Sequence, residues 1–213
     1  MANVVFENTP KLPLDEFLDV LSFEFTDAPY GLLEDSLKRA IARIAERTNI
    51  LRRTVFLTTE CGVHNYLLEP PDCMDVIAIM SICEWHGNTM HGPLHRLTSP
   101  QCSCCCFDNT VYVDRGEIVF SAPKSGTTYR IELSVKPTHN TCEFDSALLN
   151  HHEELVLNGA RALLYALPDK PWSSMQRAQA YELSMLRGCA EAAVDRMLGN
   201  QRGALKAKHP RIF

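Results

Sequence analysis

Apolar residues recur at intervals of three and four in the first quarter of the chain. In the stretch GLLEDSLKRAIARIAERTNI, this spacing predicts a helix with one buried stripe made of Leu33, Leu37, Ala40, Ile41, Ile44 and Thr48. Arg39, Arg43 and Glu46 fall on the opposite side and are expected to face water. Asp27 and Pro29 give a start signal for this helix. A shorter helix is predicted before it, in LPLDEFLDVLSF.

After Arg53 the apolar period changes to two, which is typical of strands. TVFLTTECGVHNYLLEPP predicts two strands around Cys61 and Gly62, DVIAIMSICEW predicts a central strand covered on both faces, and NTVYVDRGEIVFSAP predicts two short strands around DRG. In TTYRIELSVKP, one set of alternate residues is expected to face inward and the other outward: Tyr129, Ile131, Leu133 and Val135 in, Arg130, Glu132 and Ser134 out. APKSGTT lies between two predicted strands, so we interpret it as a hairpin turn and not as a phosphate loop.

Helical periodicity returns at Phe144. FDSALLNHHEELVLNGARALLYALP predicts a helix that ends at Pro168, with a stripe of Leu148, His152, Leu155, Val156, Gly159 and Leu163. After a loop in which Ser173 or Ser174 can cap a helix, the final helix places on one side Ala178, Tyr181, Met185, Cys189, Ala192 and Met197. The small residues Gly159 and Ala160 are expected to approach the alanines around Ala192 closely.

This order of elements predicts an α+β protein, in which a helical bundle of N- and C-terminal helices carries an inserted small antiparallel β domain. The expected divisions are N-terminal helices over residues 1–53, the β domain over 54–140, C-terminal helices over 141–200 and an extended basic arm over 201–213.

Composition is that of an ordinary soluble globular protein. The 213 residues are 46% apolar and 22% charged, with a net charge of −5. The longest apolar run, near VIAIMSI, is far shorter than a membrane span of about 20 residues, and the N-terminus has no basic segment followed by an apolar one. We therefore expect no membrane association, no secretory signal and a reducing compartment in which the nine cysteines are thiols.

Charge is distributed unevenly along the chain. Residues 1–36 carry a net charge of −7, whereas the segment from Arg196 onward carries five basic residues and no acidic one. Such runs are often simply solvated faces. The alternative interpretation is that the basic tail docks on an acidic surface of a neighbouring copy or of a partner.

Motifs for catalysis are absent, so we expect a protein that is not an enzyme and that needs no cofactor. HHEEL at 151–155 lacks the spacing of two histidines one helical turn apart that holds zinc beside a glutamate base. His152 lies on the predicted apolar stripe, which favours a core or interface histidine over a ligand.

The cysteine cluster SPQCSCCCF allows an alternative function, an intracellular zinc-stabilised binding module. Cys83 and His86 have the spacing of a ligand pair, as do Cys102 and Cys105. Against zinc, Cys104 to Cys106 are consecutive, and neighbouring side chains of a strand point to opposite faces. Cysteine also packs well as a small buried residue, so the sequence favours packing and we predict no metal.

A nucleic-acid interface is a third hypothesis. It would use the arginines in and after the longer N-terminal helix, namely Arg39, Arg43, Arg47, Arg52 and Arg53. A solvated face explains these residues better, because the last two lie near the end of the helix and a duplex-binding protein is expected to be basic overall.

Several segments occur in the order found in one family. They are AERTNILRRT, YLLEPPDCMDVIAIMSI, VYVDRGEIVFSAP, IELSVKPT, ELVLNGARALLYALPDKPW and AQAYELSMLRGCAEAAVDRM. From about Phe25 to Met197 the chain resembles the head-to-tail adaptor proteins of tailed bacteriophages, most of all those of short-tailed phages, also called tail tubular or connector proteins. The more specific motifs run from Tyr112 to Pro123 and from Gly159 to Trp172. The cysteine cluster is no part of this pattern.

The resemblance implies a structural protein of the virion neck, assembled in the host cytoplasm. Adaptors of this family form a homo-oligomeric, dodecameric ring between the portal protein and the tail nozzle or tail tube, and genomic DNA passes through the lumen without specific binding. Their C-terminal segments reach the portal as arms. In this chain the matching portal-binding residues would be Arg202, Lys206, Lys208, Arg211, Ile212 and Phe213.

Overall fold

Four helices of ten residues or more occur in the part of the chain that the computed structural model describes. They are α1 (Asp15–Glu24), α2 (Tyr30–Thr48), α3 (Glu153–Tyr165) and α4 (Met175–Met197). The described residues are 4–6, 11–67, 74–86, 89–93, 111–114, 117–120, 125–138, 140–141, 144–145, 149 and 151–197. With the antiparallel strands that lie between α2 and α3 along the chain, these helices confirm the predicted α+β class.

The strands of the described residues form three antiparallel sheets. Their bounds are β1 Val4–Phe6, β2 Lys11–Leu12, β3 Arg52–Thr58, β4 Asn65–Leu67, β5 Met74–His86, β6 Thr89–Pro93, β7 Val111–Asp114, β8 Glu117–Phe120, β9 Thr128–Pro137 and β10 Phe144–Asp145. The largest sheet has the order β1-β3-β9-β5-β6, a second has the order β4-β8-β7, and β2 pairs with β10. The strand pair predicted around DRG is confirmed as β7 and β8.

Two features of the sheets differ from the prediction. β1 and β2 lie in a region predicted to be only helical, and they pair with β3 and β10. These strands have three and two residues, too few to show a period in the sequence. The strands predicted around Cys61 and Gly62 lie in different sheets, because β3 pairs with β9 whereas β4 pairs with β8.

The APKSGTT segment also joins different sheets. Its residues 121–124 lie outside the described residues, and the turn at Gly126 has a φ of 76°, which favours glycine. The N–H of Gly126 donates to the carbonyl of Thr59 at 2.8 Å. Because β8 and β9 are not paired, the hairpin prediction is wrong although the turn is present.

Helix α2 joins the bundle to the large sheet. It packs against α1, α3, α4 and β9, and every position of its predicted stripe is buried. Leu37, Ala40, Ile41 and Ile44 have no exposed surface. The stripe was recognisable because each of its positions meets another element, so that no polar residue could replace it without losing burial.

A polar contact ties the end of α2 to the sheet. Asn49 adopts the left-handed conformation (φ 49°, ψ 36°), and its N–H donates to the carbonyl of Ala45 at 2.8 Å. The Asn49 Oδ1 accepts a hydrogen bond from the Ser134 Oγ of β9 at 2.9 Å. Ser134 is fully buried, so the prediction that it faces water is wrong. The hydrogen bond explains how a hydroxyl is tolerated there.

The C-terminal helices pack as a pair, with two corrections. Phe144 lies in β10, and α3 begins only at Glu153. A Cβ added at Gly159 would lie 3.0 Å from the Ala40 Cβ and 3.2 Å from the Met185 Sδ, so this glycine makes its close approach to α2 and to Met185 and not to the alanines around Ala192. On α4 the predicted buried face is confirmed for Ala178, Met185, Cys189 and Ala192, and Tyr181 is partly buried; the side chain of Met197 lies outside the described residues.

The turn between α3 and α4 is held against the end of α1. The indole Nε1 of Trp172 donates to the carbonyl of Leu164 at 3.2 Å, and its ring meets the edge of Phe25 at 6.2 Å. Ser174 caps α4, because its Oγ accepts from the N–H of Arg177 at 3.4 Å. The motif from Gly159 to Trp172 is therefore a packing unit that fixes three helices.

Candidate interaction surfaces

The zinc hypothesis lies mostly outside the described residues. Cys83 is half-buried in β5, where His86 also lies, but Cys102 and Cys105 are among the residues that the structure does not describe. Among the described residues, no three His, Cys, Asp or Glu side chains come together as a metal site. The zinc-stabilised module therefore stays an untested alternative.

The five arginines of the nucleic-acid hypothesis do not form a basic face. Three pair with carboxylates: Arg39 with Asp35 at 2.8 Å, Arg43 with Glu182 at 2.6 Å and Arg52 with Glu132 at 2.6 Å. Arg53 is only 4% exposed, and Arg47 is exposed. Phosphate binding needs several cations available on one surface, and this arrangement does not supply them. Arg43, predicted to face water, instead bridges α2 to α4.

A cluster of charged and aromatic side chains positions α1 against α3 and α4. Glu24 accepts from the Nε of Arg161 at 2.7 Å and from the hydroxyl of Tyr165 at 2.9 Å. The guanidinium of Arg161 lies over the ring of Tyr181, which stacks on Tyr165 with the ring centroids 5.7 Å apart. Burial, and then the hydrogen bond to Glu24, raise the pKa of Tyr165. These contacts fix one side of α1 and leave its opposite side to solvent.

The solvent side of α1 is both apolar and acidic. Glu16, Asp19, Val20 and Phe23 are spaced i, i+3, i+4 and i+7 and so share one face, which we call the α1 outer face. Phe23 is 85% exposed and Val20 39% exposed. An aromatic ring left almost wholly in water indicates a contact that the isolated subunit does not make.

Negative charge extends from this face to the start of α2. The pKa of Tyr30 is raised, first by partial desolvation of the phenol and then by the negative charges of Asp15, Asp19 and Glu34. Tyr30 is itself 54% exposed, and no Lys or Arg occurs between Lys11 and Lys38. The surface around the α1 outer face is therefore acidic throughout.

A second apolar surface lies between α3 and α4. A groove of about 470 Å³ has an apolar lining of Ala162, Leu163, Ala166, Met175, Ala178 and Leu183. Met175 is 62% exposed and Leu183 67% exposed. The Arg43–Glu182 ion pair also lines this groove, which we call the α3–α4 groove.

A charged cavity continues from this groove. It also measures about 470 Å³ and shares Arg43 and Leu163 with the groove. Its other charged residues are Lys38, Arg39, Glu46, Asp75 and Lys136. Lys136 donates to Glu46 at 2.7 Å, and Arg39, with 60% of its side chain exposed, pairs with Asp35. The groove thus leads from an apolar region into one with several exposed cations.

A third cavity, of about 370 Å³, is polar and lies beside the start of α3. Its lining includes His151, His152, Glu154 and Ser184. The Nδ2 of Asn158 donates to the Ser184 Oγ at 3.2 Å. His152 is half-buried and precedes α3, a position between core and surface.

The predicted portal-binding arm lies wholly outside the described residues, from Arg202 to Phe213. The two apolar surfaces, by contrast, were not singled out in the sequence. A signal for one exists: the buried stripe of α1, Phe17, Leu18 and Leu21, places Phe23 on the opposite side of the helix. The groove has no such signal, because its lining comes from α2, α3 and α4 together.

Comparison with known proteins adds no relative. No protein-family model matches the chain, and no curated protein matches its sequence. The resemblance to phage adaptors therefore stays a prediction. Among the described helices, none is both long enough and apolar enough to cross a bilayer.

Proposed function

We propose that this chain is a virion structural protein, the head-to-tail adaptor of a short-tailed bacteriophage. Copies assemble as a ring below the portal, the tail nozzle or tail tube attaches beneath the ring, and genomic DNA is ejected through its lumen. In this role the chain catalyses no reaction and binds no cofactor.

The observation that carries the proposal is the agreement between the quoted motifs and the elements on which they fall. VYVDRGEIVF lies on β7 and β8, IELSVKP on β9, and the motif from Gly159 to Trp172 on α3 and the turn after it. These segments were recognised as a resemblance before their structure was known. Their positions are those that an adaptor, a helical bundle with an inserted β domain, requires.

Charge supports the same role. DNA that slides through a channel must not bind to its wall, and phosphate binding depends on accessible clusters of Lys and Arg. The chain has a net charge of −5, and three of the five arginines considered for nucleic-acid binding are paired with carboxylates. A sequence-specific DNA-binding protein would need the opposite arrangement.

The exposed apolar surfaces also favour an assembly. A ring uses heterologous contacts, in which one surface of a subunit meets a different surface of the next. Phe23 on α1 and Leu183 on α4 are large apolar residues exposed on different helices. A protein that works as a monomer has little reason to keep both in water.

The test is attachment to heads. Purified full-length protein is mixed with DNA-filled, tailless heads that carry the portal encoded in the same genome, and the mixture is examined by electron microscopy. We expect a ring at the portal vertex, and no density on control heads assembled without portal. Failure to bind portal-bearing heads under conditions in which the protein is folded would contradict the proposal.

A further inference from the structure

The α1 outer face and the α3–α4 groove lie on different sides of the subunit. Arg161 and Tyr165 of α3 contact Glu24 at the end of α1, whereas Leu163 lines the groove. With 3.6 residues per turn, Leu163 points about 200° around the helix from Arg161. Helix α3 therefore stands between the two surfaces, so one subunit cannot close them on each other.

The two surfaces are complementary in shape and polarity. One is a convex helix face led by a single exposed ring, Phe23, and the other is a concave groove lined by alanine, leucine and methionine side chains. Aromatic side chains contribute a large contact area when they enter an apolar pocket. Methionine adapts its shape to such a guest, and Met175 stands 62% exposed at the groove.

Charge selects the orientation of the contact. Glu16 and Asp19 flank Phe23 on an outer face without basic residues, so two α1 outer faces brought together would repel each other. The groove leads into the cavity that contains Arg39, Arg43 and Lys136. Exposed ion pairs such as Arg39–Asp35 contribute little by themselves, so an incoming carboxylate can share these cations.

We infer that the α1 outer face of one copy, led by Phe23, docks in the α3–α4 groove of the next copy. The contact is heterologous, since each subunit contributes a different surface. The inference rests on the proposed function in one respect, that copies of the chain associate, and it names the surfaces by which they do so.

Cross-linking tests the pairing directly. Phe23 is replaced by the photo-reactive residue p-benzoylphenylalanine in unlabelled protein, which is mixed with isotope-labelled wild type and illuminated. We expect the cross-link in labelled tryptic peptides 162–177 and 178–187, which carry the groove residues. The same residue at position 67, where Leu67 is 54% exposed on β4, is the matched control and should not label them.

Paired variants test the heterologous geometry. Phe23→Ser and Leu183→Asp replace exposed residues, and both should fold as the wild type does. In sedimentation velocity, each alone should associate about thirtyfold more weakly or worse. An equimolar mixture should recover a dimer, because Phe23→Ser keeps its groove and Leu183→Asp keeps its α1 outer face. Leu67→Ser is the control and should associate as the wild type.

Three outcomes would overturn the inference. They are cross-links from position 23 to the α1 peptide or to residues 203–213 of the second copy, the absence of any intermolecular cross-link, and unchanged association of both variants. Portal attachment is measured separately on heads. A protein that attaches to portals but does not cross-link through the groove would refute this contact and leave the proposed function standing.

Discussion

Gly159→Ala is expected to destabilise the protein although alanine is the better helix former. In a helix interior, replacing glycine by alanine gains about 1 kcal/mol. Here the new Cβ would lie 3.0 Å from the Ala40 Cβ, a methyl group fixed to the backbone of α2. Relief requires α2 and α3 to separate, and overpacking of this kind costs about 1–3 kcal/mol. The net expectation is a loss of up to about 2 kcal/mol.

Gly188→Ala is the matched control. A Cβ there would lie 2.9 Å from the Leu155 Cδ1, which is closer than at Gly159, but this atom is the far end of a flexible side chain. A rotamer adjustment costs about 0.5–1.5 kcal/mol, close to the gain in helix propensity of about 1 kcal/mol. Gly188→Ala should therefore be nearly neutral. The comparison separates the closeness of a contact from the ability of the neighbour to move.

The assay is urea unfolding followed by far-UV circular dichroism, with the free energy of unfolding obtained by linear extrapolation. Adding Ala40→Gly to Gly159→Ala removes the opposing methyl group, so the double variant should be less destabilised than the sum of the two single variants. Equal or greater stability of Gly159→Ala relative to Gly188→Ala, or additivity with Ala40→Gly, would refute the assigned contact.

Three further predictions concern the arm and the cysteines. Deleting residues 206–213 should leave a folded, soluble subunit that no longer attaches to DNA-filled heads, as counted by electron microscopy; attachment at wild-type affinity would show that the arm is dispensable. Replacing Cys104 and Cys105 by serine should leave assembly intact, and metal analysis should find far less than one zinc per chain, whereas stoichiometric zinc whose removal unfolds the protein would reverse this prediction. Burial raises the pKa of the Cys189 thiol, so at pH 8 iodoacetamide should modify the exposed Cys61 well before Cys189, as followed by mass spectrometry; equal rates would contradict the packing of α4.

Elements with a strong period could be predicted from the sequence. The stripe of α2, the alternation of Tyr129 to Val135 on β9 and the buried face of α4 all agree with the structure. In each, one side of the element faces the core over several turns or pairs, and this repeated constraint is what the period records.

Features set by a single tertiary contact could not be predicted. Ser134 follows the outward positions of β9 in the sequence, but the end of α2 covers it and Asn49 satisfies its hydroxyl. Gly159 was correctly expected at a close helix contact, yet its partner, Ala40, comes from a helix more than one hundred residues earlier in the chain. No local pattern encodes which distant surface will lie opposite.

The candidate surfaces follow the same division. The outward position of Phe23 is implicit in the periodicity of α1, since its buried stripe fixes which side is left. The α3–α4 groove depends on the relative placement of three helices and on the Arg43–Glu182 bridge. One half of the inferred contact could thus be found in the sequence, whereas the other half required the structure.

The geometry of the inferred contact has a consequence for how assembly would end. Each docking event uses one α1 outer face and one groove and leaves one of each free at the ends, so association continues until a ring closes or a filament grows. A template that holds several subunits side by side raises their effective concentration for one another. A portal of fixed symmetry would supply such a template. A contact too weak to build rings from free subunits could therefore close a complete ring on a filled head, which would restrict assembly to heads that have finished packaging.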